Sequence, residues 1–111
     1  SVAEKVKDVE EKAKKYNCII LLKTVLDIIS DGTTSYVVEG GNQGLTKGGT
    51  GDILAGLTAS LFAHTDGLTA AVLSSFLLKR TSDELFKSKG YWYNNSDILD
   101  TIPKIANKIF L

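Results

Sequence analysis

Between Thr46 and Gly56 the chain reads Thr-Lys-Gly-Gly-Thr-Gly-Asp-Ile-Leu-Ala-Gly. Three glycines in four positions end on a carboxylate, Asp52, and an apolar helical pattern begins at once. Glycine allows backbone angles and close approaches that a Cβ blocks. A helix start offers unpaired N–H groups and the positive end of the helix dipole. Together these make a pocket for phosphate oxygens with Asp52 beside whatever is bound, so a nucleotide or phosphate site with a catalytic acid is expected.

The rest of the composition fits one small globular domain. The chain has 111 residues and is 43% hydrophobic,. Thirteen basic and thirteen acidic residues cancel, which argues against a general affinity for nucleic acid or anionic membrane,. The single cysteine, Cys18, rules out an internal disulfide framework, and its apolar neighbours suggest a small buried side chain,. His64, Asp66 and Gly67 split the apolar stretch from Ile53 to Leu78 into runs shorter than the roughly 20 residues a membrane span needs,. A soluble, cytoplasmic protein is expected. There is no methionine, and Ser1 opens in the middle of a charged helical pattern, so a processed chain or a fragment lacking an N-terminal segment is expected.

Read in order, Val2, Val6, Val9, Ala13 and Tyr16 draw one apolar stripe on a helix that Asn17 should stop,. Cys18 to Leu22 is a short unalternating apolar run, as in a strand of a parallel sheet covered on both faces,. Lys23 then stands at its carboxyl end, where open α/β sheets place ligands. Residues 25–29 and 34–38 form a hairpin about Asp31-Gly32,. A glycine loop, residues 40–44, leads to the motif, and a helix from Asp52 to about Ala63 is apolar on most sides and should be buried on most sides,. His64 near its end reads as a surface residue complementing the helix dipole. Asp66-Gly67 turns into a third helix that ends at Lys89-Gly90,. Tyr91-Trp92-Tyr93 is expected to pack under a loop, and Asn94 to Asp97 to cap a helix that Pro103 breaks near Thr101-Ile102,.

The motif lacks the Gly-Lys-Ser/Thr ending of a P-loop and the strand context of a dinucleotide fingerprint. Gly-Thr-Gly-Asp at a helix start instead resembles the anion hole of the ribokinase-like superfamily. The longer run from Asn42 through Gln43, Gly44, Leu45, Thr46, Lys47 and Gly48 to Asp52 and Gly56 is similar to the signature of the ATP- or ADP-dependent NAD(P)H-hydrate dehydratases. Leu22 to Ile29 resembles that family's nucleotide-binding segment, with Thr24 where glycine is usual. Leu68 to Ala71, Asp83 and Asn95 to Ile98 also stand where family-like residues do. Lys79-Arg80-Thr81-Ser82 replaces a segment that often reads His-Gly-x-Ala-Gly, and no site role is expected there.

The resemblance implies an α/β fold, the ribokinase-like three-layer α/β/α arrangement, with residues 1–111 forming the C-terminal part of one domain and an incomplete sheet. It implies ATP- or ADP-dependent dehydration of hydrated NADH or NADPH, in which the hydroxyl of the damaged ring takes a phosphoryl group and the ester eliminates. Asp52 would remove the hydroxyl proton, and the amides of Gly49, Thr50 and Gly51 would steady the transferring phosphoryl group. Lys23, Thr24, Val25, Leu26, Asp27 and the run Asn42 to Gly51 would bind the nucleotide, which would bring Mg2+ with it. NAD(P)H hydrate is the expected small-molecule partner, the exposed sheet edge is expected to need a partner segment, the missing N-terminal one, and a homo-oligomer is left open. A vitamin-type kinase of the same superfamily and a non-catalytic nucleotide-binding piece are the competing readings.

Overall fold

A computed structural model describes residues 1–110 as α1 (Val2–Tyr16), β1 (Ile20–Leu22), β2 (Asp27–Ser30), β3 (Ser35–Val38), a 3-10 turn (Gln43–Leu45), α2 (Thr50–Phe62), α3 (Gly67–Lys89) and α4 (Asn95–Phe110). Ser1 and Glu4 close a capping box at the start of α1, and Asn17 ends it in the left-handed region at φ 51°,. The stripe is buried at Val9 and Ala13, whereas Val2 and Tyr16 at its ends are exposed.

The three strands form a sheet ordered β1-β2-β3, antiparallel throughout. The expectation of a parallel strand buried on both faces is therefore corrected. Only four residues separate Leu22 from Asp27, and a parallel crossover needs a dozen or more. β1 is half-buried to exposed, and Cys18 is exposed rather than buried. The strand with the burial expected of β1 is β2, whose four residues are all buried. Its alternation serves two layers: Asp27 and Ile29 meet α3 through Ser75 and Ala71, while Ser30 meets Glu10 of α1 through the Ser35 hydroxyl,. The layers are helix, sheet and helix, as expected.

The hairpin matches its turn chemistry. Asp31 Oδ1 accepts from the amides of Thr33 and Thr34 at 2.8 and 2.7 Å,. Gly32 sits at φ 95° where a Cβ would lie 2.8 Å from the Lys14 backbone.

A second core joins Leu45, Leu54, Leu78, Leu85, Tyr93 and Ile98 between the 3-10 turn and the three later helices. Asp66 caps α3 through the Thr69 amide, and Gly90 ends it. Asn94 and Asp97 cap α4 reciprocally at 2.9 and 3.0 Å. Two expectations fail here. α4 runs through Pro103 without a break; Ile98 and Ile105, two turns apart and both buried, hold its two halves on one face,. Within α2 only Thr50 and Leu54 are buried, and Phe62 is 61% exposed, because among the described residues the helix packs chiefly against α3 alone. The aromatic triplet divides: Tyr93 is buried, whereas Tyr91 and Trp92 are exposed. No helix among the described residues is long and apolar enough to cross a membrane.

Candidate phosphate turn and nucleotide cavity

The glycine turn opens α2 as expected. Gly49, at φ 94°, is the residue before the first helical position, and no side chain caps the helix there. Ile53 is the first residue whose amide bonds back into the turn, to the Gly49 carbonyl at 3.0 Å. The amides of Thr50, Gly51 and Asp52 lack an intrahelical partner by geometry. A Cβ added at Gly48 or Gly51 would meet nothing within 4 Å, so the turn has open space beside both glycines. Asp52, in the first helical turn, is exposed.

The turn is fixed from behind by side chains. The buried Thr50 hydroxyl lies 2.8 Å from the Leu45 carbonyl and 3.1 Å from that of Lys47. Asn95 of α4 donates to the Gly48 carbonyl at 2.8 Å. Lys47 donates to the Tyr93 carbonyl at 2.5 Å and lies 4.3 Å from the centre of the Tyr93 ring,. The Tyr93 hydroxyl donates to Asn42 Oδ1 at 2.5 Å and lies 2.6 Å from the Ser82 hydroxyl. Burial pushes the Tyr93 phenol above its ordinary range, against the pull of those two bonds,.

Beside the turn lies a cavity of about 600 Å³ between the β1–β2 connection and residues 40–47, with Leu78 and Lys79 of α3 at its base. Of the residues expected to bind nucleotide, it brings together Lys23, Thr24, Val25, Asp27, Asn42, Gln43, Leu45, Thr46, Lys47 and Thr50. Leu26, Gly44, Gly48, Gly49, Gly51 and Asp52 lie outside its lining. Gly44 is buried under Tyr93, so close that no Cβ would fit. The threonine at position 24 leaves its loop closed: its amide donates to Asp27 Oδ1 at 3.0 Å and its hydroxyl to the Leu26 carbonyl at 2.5 Å.

Several expected ligand side chains are already engaged. Asn42 accepts from the Gly44 amide as well as from Tyr93, and donates to the Ser82 carbonyl at 3.1 Å. Asp27 is buried and holds the Thr24 amide and the Ser75 hydroxyl. Sequence reasoning missed Gly40, Gly41 and Lys79, all in the lining. Lys79 carried a readable signal, a lysine on the stripe that Ser75, Leu78 and Ser82 mark as buried. No cluster of three potential metal ligands exists among the described residues.

Comparison with known proteins identifies the family and the fold. A family profile described as NAD(P)H-hydrate dehydratase matches residues 2–104. The chain is 43% identical over 91 residues to a bifunctional NAD(P)H-hydrate repair enzyme of Methanocaldococcus jannaschii, covering 82% of this chain and 18% of that protein. It is 37% identical over 103 residues to an ADP-dependent (S)-NAD(P)H-hydrate dehydratase of Nitrosopumilus maritimus, covering 92% of this chain and 36% of that protein. The chain thus spans about a fifth to a third of the curated relatives it matches. Among solved structures, a Bacillus subtilis protein described as a UPF0031 family member and putative kinase superposes with a TM-score of 0.85 at 21% identity, covering 96% of this chain and 41% of that one. The ADP/ATP-dependent NAD(P)H-hydrate dehydratase of Bacillus subtilis, co-crystallised with ATP and Mg2+, gives 0.81 at 23% identity, covering 96% and 39%. These likenesses establish the fold as ribokinase-like, and the profile match over nearly the whole chain establishes its kinship: the chain belongs to the NAD(P)H-hydrate dehydratase family.

Proposed function

We propose that the full-length protein carrying this chain dehydrates hydrated NADH or NADPH, with ATP or ADP as phosphoryl donor. The observation that carries the proposal is the start of α2, where no side chain caps three first-turn amides, open space lies over Gly48 and Gly51, and an exposed carboxylate, Asp52, follows in the same turn. Two relatives, an ADP-dependent (S)-NAD(P)H-hydrate dehydratase and a bifunctional NAD(P)H-hydrate repair enzyme, support it.

Each group has a role that its position supports. The amides of Thr50 and Gly51, with Gly49 shaping the turn, donate to oxygens of the phosphoryl group as charge builds on them. Asp52 takes the proton from the hydroxyl of the hydrated ring as it attacks that group. Elimination of the phosphate ester then restores the dihydronicotinamide. The cavity takes the rest of the nucleotide: Lys23 and Gln43 are exposed on its walls, and Thr46 lies where the wall meets the turn. Mg2+ would arrive with the nucleotide, held by its phosphate oxygens, and would neutralise charge there, since no cluster of three potential protein ligands exists among the described residues,.

A segment outside this chain completes the substrate side in this proposal. The outer edge of β1 has no strand beside it among the described residues, and α2 leaves Ala55, Ala59 and Phe62 exposed, a surface suited to a covering layer. The cytoplasm is the compartment that such soluble cofactors imply.

The test is phosphate release and recovery of NADH absorbance when full-length protein meets hydrated NADH and ATP or ADP. Asp52→Asn should lower turnover by about 10²- to 10⁴-fold, the usual worth of a positioned base, while nucleotide binding persists. Turnover retained in that variant removes Asp52 as the base. Phosphorylation of a pyrimidine or pyridoxal alcohol, with hydrated NADH untouched, makes the protein a kinase instead.

A further inference from the structure

Lys79 is only 5% exposed, at the base of the cavity. Its ammonium donates to the Val25 carbonyl at 3.0 Å and to the Gly40 carbonyl at 3.2 Å, and lies 3.7 Å from Asp27 Oδ1. Two of the three ammonium donors are thus spent on main-chain carbonyls, and Asp27 adds an ion pair at a distance too long for a hydrogen bond,. Val25 and Gly40 continue β2 and β3 past the Asp27–Val38 pair, and both line the cavity. One helical turn further along α3, Asp83 accepts from the Gly41 amide at 3.0 Å. Gly40 and Gly41, at φ 104° and 78°, lie so flat on the Lys79 stem that a Cβ at Gly41 would come within 3.2 Å of Lys79 Cγ. A single helix thus grips one wall by a cation and an anion four residues apart, and ties the other wall to it through the cation.

A buried lysine–aspartate pair is weak evidence of stabilisation, since an apolar pair of similar volume often does as well. What an apolar pair cannot do is draw together two backbone carbonyls arriving from different segments. We propose that Lys79 is a positioning residue of the nucleotide cavity, its ammonium serving as an internal cation that fixes the spacing between the 23–27 wall and the 40–43 wall. The proposal rests on the nucleotide role assigned to the cavity above. In this proposal Lys79 sets nucleotide affinity by holding the two segments in place.

The experiment is calorimetric titration of the full-length protein with ATP and with ADP, alongside melting curves. In Lys79→Ala, propylammonium replaces the missing part of the side chain; tetramethylammonium, which has no N–H, is the control. Because Lys79→Ala strands the Asp27 charge, the double variant D27N/K79M gives a neutral pair of similar volume. The expected results are melting close to wild type and roughly tenfold weaker nucleotide binding in D27N/K79M, about one charge-assisted bond. In Lys79→Ala, propylammonium should restore affinity saturably and tetramethylammonium should not. Wild-type affinity in D27N/K79M overturns the proposal. So does a loss in Lys79→Ala that propylammonium leaves unchanged, which would assign the effect to packing. Absence of nucleotide binding in the wild type is a separate result, and it removes the cavity's role together with this one.

Discussion

Two glycines of one motif should respond in opposite ways to the same added methyl group. At Gly49 the backbone sits at φ 94°, and a Cβ would stand 2.5 Å from Asn95 Nδ2, the atom that donates to Gly48. The left-handed conformation costs an L-residue about 1–2 kcal/mol, and displacing the Asn95 bond adds about 1 kcal/mol. Gly49→Ala should therefore lose about 2–3 kcal/mol of stability, the sum of those two effects. Gly51 lies inside α2, and a Cβ there meets nothing within 4 Å. Alanine there should be neutral or stabilising by up to about 1 kcal/mol on helix propensity. Under the proposed function, however, the empty space over Gly51 is where phosphoryl oxygens would approach the amides. A methyl group there should cost about 10²- to 10³-fold in turnover, the worth of one donor at a site of developing charge. Urea unfolding gives the first quantity and phosphate release the second, both on full-length protein. A Gly51→Ala enzyme within a few-fold of wild type refutes the use of this turn as an anion hole. A Gly49→Ala protein as stable as wild type refutes the strain estimate.

Tyr93→Phe removes the hydroxyl shared by Asn42 and the fully buried Ser82; it should cost about 1–3 kcal/mol in urea unfolding, and no change would mean water replaces it. Leu78→Ala, in the core under the cavity and 2% exposed, should cost about 2–5 kcal/mol by the same measurement,. Stability should also fall in acid. Asp31 is held below its ordinary 3.8 chiefly by the Thr34 amide, then that of Thr33; Asp66 by the Thr69 amide and hydroxyl; and Asp97 by the Asn94 amide and then Lys89. Because the folded values lie below the unfolded ones, this stabilisation is present above 3.8 and is lost as pH falls through the folded values,. Melting temperature followed from pH 7 down to about 2 should show it, and Asp66→Asn should flatten part of the slope; an unchanged slope assigns the acid loss to other carboxylates.

Local signals were legible where a single residue type answers a backbone need. Asp31-Gly32, Asn17, Asp66, Gly90 and the Asn94–Asp97 pair all do what their capping and turn chemistry indicates. What failed was burial inferred from apolarity. Cys18 to Leu22 and Ile53 to Phe62 are apolar enough to be enclosed, but a sequence pattern states what a segment can bury, not what stands opposite it. Among the described residues β1 has a strand on one side only, and α2 packs chiefly on α3. The sheet direction was misread for a similar reason, since an apolar strand looks the same in either sense and the four-residue link to β2 was the deciding fact. Pro103 shows the opposite error: a strong local rule yielded to Ile98 and Ile105 packing on one face. The partners of Lys79 and Tyr93 were not legible, even where a buried lysine was, because each acts on segments about forty or more positions away.

The candidate site divides its work between main chain and side chain, and that division explains why it reads as a motif. Asn42, Thr50, Asp27, Lys47 and Asn95 look like ligand groups in the sequence, yet each is committed to backbone atoms or to Tyr93. What they leave exposed toward a ligand is chiefly peptide: the first amides of α2, with Asp52 beside them. Amides donate well only when held still, because a flexible loop would surrender in ordering entropy what its hydrogen bonds supply. A phosphate site built from peptide therefore needs a dense set of short polar side chains behind it and glycines where the ligand must come close. The run from Asn42 to Asp52 contains both, interleaved. The glycines alone would be an ordinary loop. With Asn42 and Thr50 folding it from within and Tyr93 and Asn95 bracing it from α4's entrance, the same eleven residues become a rigid row of donors.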